Sequence, residues 1–185
     1  MSIEPALIKH CAPTLASLKV GSLFSFHPDC WRCLAEETDS LNRRFGEKGL
    51  SLRILRADNS RALCYLYREG QLRSLLADEK IRAFLRGCGY DSFELNAVLD
   101  TLFDHLANQP DFPHEVGLFL GYPLSDVIAF IENKGRNCLH CGAWKVYTNA
   151  CEALRQFARF KKCADVYSRL YHAGERSLHQ LTVAA

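Results

Sequence analysis

Hydrophobic residues recur at helical spacing over much of this chain. The clearest stripe is formed by Leu95, Val98, Leu99, Leu102, Phe103 and Leu106. It predicts a helix over 92–107, with Asp91 and Glu94 forming a capping box at its start. Similar stripes, bounded by Gly, Pro or polar residues, predict further helices over 4–18, 31–45, 81–88, 113–120, 124–132, 149–173 and 177–183. The first of these is expected to break near Pro13, which suits the first turn of a second short helix.

Shorter segments rich in β-branched and aromatic residues predict strands. Residues 50–57 and 61–68 flank Asp58-Asn59-Ser60, which is turn chemistry, so these two segments form an antiparallel hairpin. We expect the hairpin to occupy the centre of a sheet. A strand over 143–147 would pair against the hairpin or against a short strand over 22–26.

Runs of helices interrupted by few strands are typical of the α+β class. A length of 185 residues suits one domain with a sizeable core. We therefore predict a single α+β domain over residues 1–185, in which helices cover a small antiparallel sheet.

Composition limits which partners and which cellular compartment are expected. The formal charge of +2 is too balanced for nucleic acid or an anionic membrane to be the main partner. No apolar run approaches the roughly 20 residues of a membrane span. The N-terminus lacks the basic and apolar regions of a signal peptide. We expect a cytoplasmic protein without a membrane partner.

Nine cysteines are many for such a chain, and the number is odd. A disulfide framework is disfavoured in a reducing compartment. Metal binding, redox chemistry or core packing must then account for the thiols. Cys64 and Cys88 are expected to be buried as small hydrophobic side chains.

The first site hypothesis is a metal centre. Cys138 and Cys141 are separated by two residues at a predicted turn, and Cys163 follows on a helix. Thiolates bind zinc, copper(I) or iron–sulfur clusters, so zinc, iron or a cluster is the expected cofactor. Cys11 or His10 would complete the ligand set. The alternative is a group of buried thiols without a metal.

The second hypothesis is a reactive thiolate at Cys11. A helix starting near Pro13 would place this thiol at a helix N-terminus, where thiolate is stabilised. His114 or Glu115, at another predicted helix start, could then serve as the base. In the alternative, Cys11 fills a gap in the core.

Two further motifs carry weaker hypotheses. The segment Cys30-Trp31-Arg32-Cys33 follows a strand and opens a helix, as in a thioredoxin-like redox pair. Alternatively, these cysteines merely flank an inward-packed tryptophan. His114-Glu115 and Glu132-Asn133-Lys134 lie at helix ends beside Gly and Pro, where they could line a pocket.

The chain also resembles a known family, catalogued as domain of unknown function 3793. The resemblance is carried by the segments 10–16, 113–124, 130–135, 141–147 and 161–163 and by the C-terminal 177–184. It implies a small soluble protein of anaerobic bacteria and no particular reaction. The family-like thiols are Cys11, Cys141 and Cys163, whereas Cys138 and the pair Cys30 and Cys33 look peculiar to this sequence.

The sequence thus leads to three functional hypotheses. The first is a metal- or iron–sulfur-binding protein in anaerobic redox or metal handling, which could have a redox partner protein. The second is a cysteine-dependent enzyme acting on a small molecule. The third is an interaction protein whose cysteines are structural. The sequence leaves the reaction, the substrate and the oligomeric state open.

Overall fold

The architecture is built around three antiparallel strands. The structure is a computed structural model that describes residues 2–57, 60–108 and 112–184. The strands are β1 (Gly21–Phe26), β2 (Leu50–Ala57) and β3 (Ala62–Arg68), and their spatial order is β1–β3–β2. The predicted hairpin is confirmed, although residues 58 and 59 of its predicted turn lie outside the described residues. Only β3 is central, because β2 pairs on one side of it and β1 on the other.

Helices cover both faces of this sheet. In chain order, the described helices are α1 (Glu4–Leu15), α2 (Trp31–Phe45), α3 (Glu69–Leu76), α4 (Glu79–Gly87), α5 (Leu95–Asn108), α6 (Val116–Phe119), α7 (Leu124–Glu132), α8 (Ala150–His172) and α9 (Leu178–Leu181). None of them is both long and apolar enough to cross a membrane. The predicted α+β class, a small antiparallel sheet covered by helices, is confirmed.

Alternation along β3 divides the core in two. Cys64 and Leu66 face one apolar cluster, which also contains side chains of α1, α2, α8 and α9. Tyr65 and Tyr67 face the other, which contains side chains of α3 to α7. Successive side chains of a strand point to opposite faces, so a strand covered on both sides is apolar at nearly every position.

The segment 143–147 does not join the central sheet, so its predicted pairing is wrong. Its strand, β5 (Lys145–Val146), pairs with β4 (His140–Cys141) in a separate two-stranded ribbon. Backbone groups of this segment are hydrogen-bonded to nearby residues and so are not available to a strand of the central sheet. The N–H of Leu139 donates to the carbonyl of Val146 at 2.7 Å, and the N–H of Tyr147 donates to the Asp126 carboxylate at 3.0 Å.

Helix α1 is continuous through Pro13, so the predicted break is wrong. Pro13 lies in the last turn of α1. Proline there removes one helical hydrogen bond, to the carbonyl four residues earlier, and the helix ends two residues later. Pro5 occupies the first turn instead, the position in which a missing N–H has no cost.

Two other local predictions differ from the structure. Helix α5 begins at Leu95, and the predicted Asp91–Glu94 capping box does not form, because the N–H of Glu94 donates to the Ser92 hydroxyl at 3.2 Å instead of to Asp91. Helix α3 was not predicted at all. Its signal is Leu72, Leu75 and Leu76 at helical spacing, of which Leu72 and Leu76 are buried and Leu75 packs against the same cluster.

A buried arginine closes the end of the central strand. Arg68 is 1 % exposed, and its guanidinium donates to the carbonyls of Thr14 at 2.8 Å, Lys48 at 2.9 Å, Val183 at 2.7 Å and also Leu15. One side chain therefore joins the end of α1, the short 3-10 helix Gly46–Lys48 before β2 and the C-terminal segment to the sheet.

Replacing Leu99 or Leu102 by Ala is expected to lower the free energy of unfolding by roughly 2–5 kcal/mol. Both side chains are fully buried in α5, so each truncation leaves a cavity. Urea denaturation measures the loss, and Leu154→Ala on α8, where the side chain is 45 % exposed, is the control. Parent-like stability of both core variants would show that this helix face is not part of the core.

Replacing Arg68 by Met should destabilise the fold by roughly 3 kcal/mol or more, because several buried carbonyl oxygens lose their donor. Arg68→Lys should rescue little, since an ammonium lacks the planar five-donor geometry. Thermal unfolding compares both variants with Arg73→Met, which changes an exposed arginine. Equal melting temperatures for Arg68→Met and Arg73→Met would contradict the proposed role.

Candidate functional site

A tight turn between α6 and α7 forms one wall of the candidate site. The N–H of Tyr122 donates to the carbonyl of Gly117 at 2.9 Å, and Gly121 has a φ of +76°. A Cβ on Gly117 would lie 2.9 Å from a methyl of Val127 and 3.0 Å from the Tyr122 ring. Glycine at 117 therefore lets the two helices approach each other closely.

Asp126 fixes the opposite wall. This carboxylate is 2 % exposed and accepts from the indole N–H of Trp144 at 2.8 Å, the N–H of Tyr147 at 3.0 Å, and both the N–H and the hydroxyl of Thr148 at 2.8 and 2.9 Å. Four donors satisfy a buried charge that would otherwise be costly. They also attach segment 144–148 to α7.

A cavity of about 270 Å³ lies between these walls. Its lining residues are Phe112, His114, Val116, Gly117, Leu120, Tyr122, Asp126, Val127, Phe130, Trp144 and Lys145. The Tyr122 and Trp144 rings are stacked, with 5.1 Å between their centroids. A concave, mostly apolar surface with a few polar groups is typical of small-molecule sites.

Two basic side chains and a phenol line the cavity beside Asp126. The Lys145 ammonium donates to the carbonyl of Gly135 at 2.7 Å and lies 5.8 Å from the centroid of the Phe130 ring. The His114 ring meets the same phenyl ring edge-on, 4.9 Å between centroids. Tyr122 donates its hydroxyl to the Ala143 carbonyl at 3.0 Å, and burial raises the pKa of that phenol.

The structure separates the predicted neighbours His114 and Glu115. His114 lines the cavity, as the pocket hypothesis expected. Glu115 is buried elsewhere, where its carboxylate lies 2.8 Å from Nδ1 of His105 and accepts from the Tyr90 hydroxyl at 3.3 Å. Burial, and then the Glu115 charge, raise the pKa of Tyr90. Glu132, Asn133 and Lys134 are not among the lining residues.

Cys11 lies in the interior of α1, so its predicted place at a helix start is wrong. The side chain is completely buried in the cluster on the opposite face of the sheet from Glu115 and Tyr90. Burial raises the pKa of its thiol, against smaller opposing effects from Lys19 and Ser22. The structure therefore does not bring Cys11 together with His114 or Glu115.

The predicted metal ligands are also dispersed. No group of three or more His, Cys, Asp or Glu residues suited to a metal ion occurs within the described ranges. Cys141 is in β4 of the ribbon and Cys138 lies two residues before that strand, whereas Cys163 lies along α8, where burial raises its pKa to about 11. His10 stacks on Phe24 beside β1, with 5.7 Å between ring centroids. Metal binding itself stays a prediction that metal analysis of protein purified without oxygen can test.

Comparison with known proteins confirms the family. Residues 7–182 match the model of the family described as "Protein of unknown function (DUF3793)". The chain belongs to this family. No curated protein and no solved structure matches it. Every residue that lines the cavity lies inside the DUF3793 match.

Sequence reasoning missed most of this DUF3793 cavity. In the sequence, Tyr122, Phe130, Trp144 and Lys145 stand out only as parts of the family-like segments 113–124, 130–135 and 141–147. Their signal is the concentration of aromatic residues around Gly121 and Pro123 and before the last long helix. No spacing rule joins residue 117 to residue 145, because the Asp126 hydrogen bonds bring these segments together.

Replacing Asp126 by Ala should lower the free energy of unfolding by at least about 3 kcal/mol, because several buried donors lose a charged acceptor. Hydrogen exchange should also increase at the amides of Tyr147 and Thr148. Asp165→Ala, at an exposed position of α8, is the matched control. Unchanged exchange at both amides would show that Asp126 does not hold this segment.

Proposed function

We propose that this protein binds a small organic acid with a flat apolar body in the cavity between α6, α7 and the β4–β5 ribbon. The observation that carries the proposal is an aromatic-lined cavity in which a lysine remains able to receive an anion. The proposal concerns which ligand is bound and not whether the protein then acts on it as an enzyme. The proposal keeps the small-molecule partner expected from the sequence. It assigns recognition of that molecule to the cavity and not to a cysteine.

The walls favour an apolar ligand body. Tyr122, Phe130 and Trp144 present rings, and Val116 and Leu120 add aliphatic surface. Burying apolar ligand area contributes about 25 cal/mol per Å². Ring faces also favour offset or edge-on contacts with another flat ring. The volume of about 270 Å³ suits a ligand of one or two rings.

The charges favour an acid over a base. Asp126 already accepts from four donors, so it has little capacity left for a ligand cation. Lys145 uses one N–H on Gly135, and an ammonium has three. The ring nitrogens of His114 make no hydrogen bond to the described residues. Lys145 and His114 are therefore the polar groups that remain available, and both can donate to a carboxylate.

The cysteines do not enter this proposal. All nine lie within the described residues, and none of them lines the cavity. Their free thiols and odd number support a place in the reducing cytoplasm. That localisation is part of the proposal.

The test uses a matched pair of probes, 2-naphthoate and its neutral amide, 2-naphthamide. Calorimetric titration should show one site for each on the parent protein. Lys145→Met should weaken 2-naphthoate about tenfold through loss of a charge-assisted hydrogen bond, with little effect on the amide. Leu120→Trp should block both probes, because the larger ring fills the cavity.

Lys162→Met, at an exposed position of α8, is the control and should bind both probes like the parent protein. Melting temperatures confirm that each variant is folded. Failure of the parent protein to bind either probe would contradict the cavity as an apolar ligand site. Equal loss of both probes in Lys145→Met would contradict the anionic preference alone.

A further inference from the structure

Two exposed thiols stand together at the start of α2, outside the cavity and in a different part of the fold. Cys30 is the N-cap residue of this fifteen-residue helix, and Cys33 lies in its first turn. Both side chains are exposed, whereas Cys11 and Cys64 are buried in the core. Exposed thiols do not serve as core packing, which is the usual role of a free cysteine.

The backbone holds the two thiols in a defined geometry. Cys30 is extended, with φ −148° and ψ 120°, and its Sγ accepts from the N–H of Cys33 at 3.2 Å. Its carbonyl accepts the first helical hydrogen bond, from the N–H of Leu34 at 3.1 Å. Sulfur thus occupies the capping position that oxygen of Ser, Thr, Asp or Asn normally fills.

The two thiols differ in acidity as a consequence. The pKa of Cys30 is lowered, first by a hydrogen bond from the Cys33 side chain and then by the backbone N–H of Cys33. The pKa of Cys33 is raised, chiefly because its thiol donates to Cys30. The charge of Glu36 opposes thiolate formation at both, but Glu36 also pairs with Arg32 at 2.9 Å.

The surroundings leave this pair open to a partner molecule. Trp31 lies between the two cysteines in the sequence and faces solvent, with 38 % of the residue exposed. The expectation that Trp31 packs inward is therefore wrong. An exposed indole beside a thiol offers apolar contact area to an approaching substrate.

We infer that Cys30 and Cys33 form a thiol–disulfide exchange centre whose substrate is an exposed disulfide bond. Cys30 is the attacking sulfur, because it is the acceptor of the capping hydrogen bond and is accessible. Cys33 is the resolving sulfur, because it follows three residues later in the same helical turn and its backbone N–H contacts the Cys30 sulfur.

The exchange balances without any further reactant. The Cys30 thiolate attacks one sulfur of the substrate disulfide, forming a mixed disulfide and releasing the other sulfur as a thiolate that takes up the proton lost by Cys30. Cys33 then loses its proton and attacks Cys30. The Cys30–Cys33 disulfide forms, and the second substrate thiol leaves with that proton. The protein is oxidised by two electrons and the substrate disulfide is reduced by two.

The experiment follows single cysteines in the whole reduced protein. Glutathione disulfide is added, the reaction is quenched with acid, and peptide mapping locates the products. The parent protein should form the Cys30–Cys33 disulfide without a lasting adduct. Cys33→Ser should retain glutathione on Cys30, and Cys30→Ser should slow modification of this segment at least about tenfold.

Cys151 supplies a matched internal control. It is exposed in the first turn of α8, but no second cysteine lies one turn from it. A helix N-terminus alone would therefore make Cys151 react like Cys30. We expect Cys30 to react at least about tenfold faster, since its partner thiol stabilises the thiolate. Circular dichroism shows whether α2 is intact in each variant.

A second arm with insulin as a protein disulfide identifies the substrate source. Reaction with both substrates indicates a centre open to polypeptides, and reaction with glutathione disulfide alone indicates a centre for small disulfides. Either result supports the exchange centre. Equal rates at Cys30 and Cys151, or no Cys30–Cys33 disulfide in the parent protein, would overturn it.

Discussion

The guanidinium group of Arg68 is the contact on which the tertiary arrangement depends. It is buried at the end of the central strand and is held by backbone carbonyls from three separate parts of the chain. Those carbonyls lie at the end of α1, before β2 and near the C-terminus, where few regular partners are available. A guanidinium has five donors in a rigid plane, so one side chain can satisfy several buried acceptors together. Burial of this charge is tolerated because its donors are used.

The sheet fixed in this way is thin and covered on both sides, which sets the position of the cavity. Strand β3 has a buried residue at almost every position because helices pack on each face. The helices α6 and α7 belong to the second face, and the ribbon packs against α8 in a third apolar cluster. The Asp126 carboxylate joins α7 to the segment that follows the ribbon. The cavity exists because these two parts meet at one buried charge.

Polar chemistry is distributed over the molecule rather than concentrated at one centre. Lys145 and His114 line the cavity, while the exposed thiols of Cys30 and Cys33 lie at the start of α2, which covers the other face of the sheet. Buried thiols such as Cys11 and Cys64 have raised pKa values and behave as core side chains. Exposure and local hydrogen bonding, and not the number of cysteines, separate the reactive candidates from the structural ones.

Periodicity in the sequence determined the α+β class, the hairpin and most helices, because local alternation and helical stripes follow from burial of one face. Sequence could not determine the start of α5, the continuity of α1 through Pro13 or the partner of β5. The start of α5 depends on a hydrogen bond from the N–H of Glu94 to the Ser92 hydroxyl, and the position of β5 depends on the hydrogen bonds of Asp126. The cavity and the separation of His114 from Glu115 likewise arise only in three dimensions. Adjacent residues of a tight turn can point into different clusters, and distant residues meet when a buried polar group requires several donors.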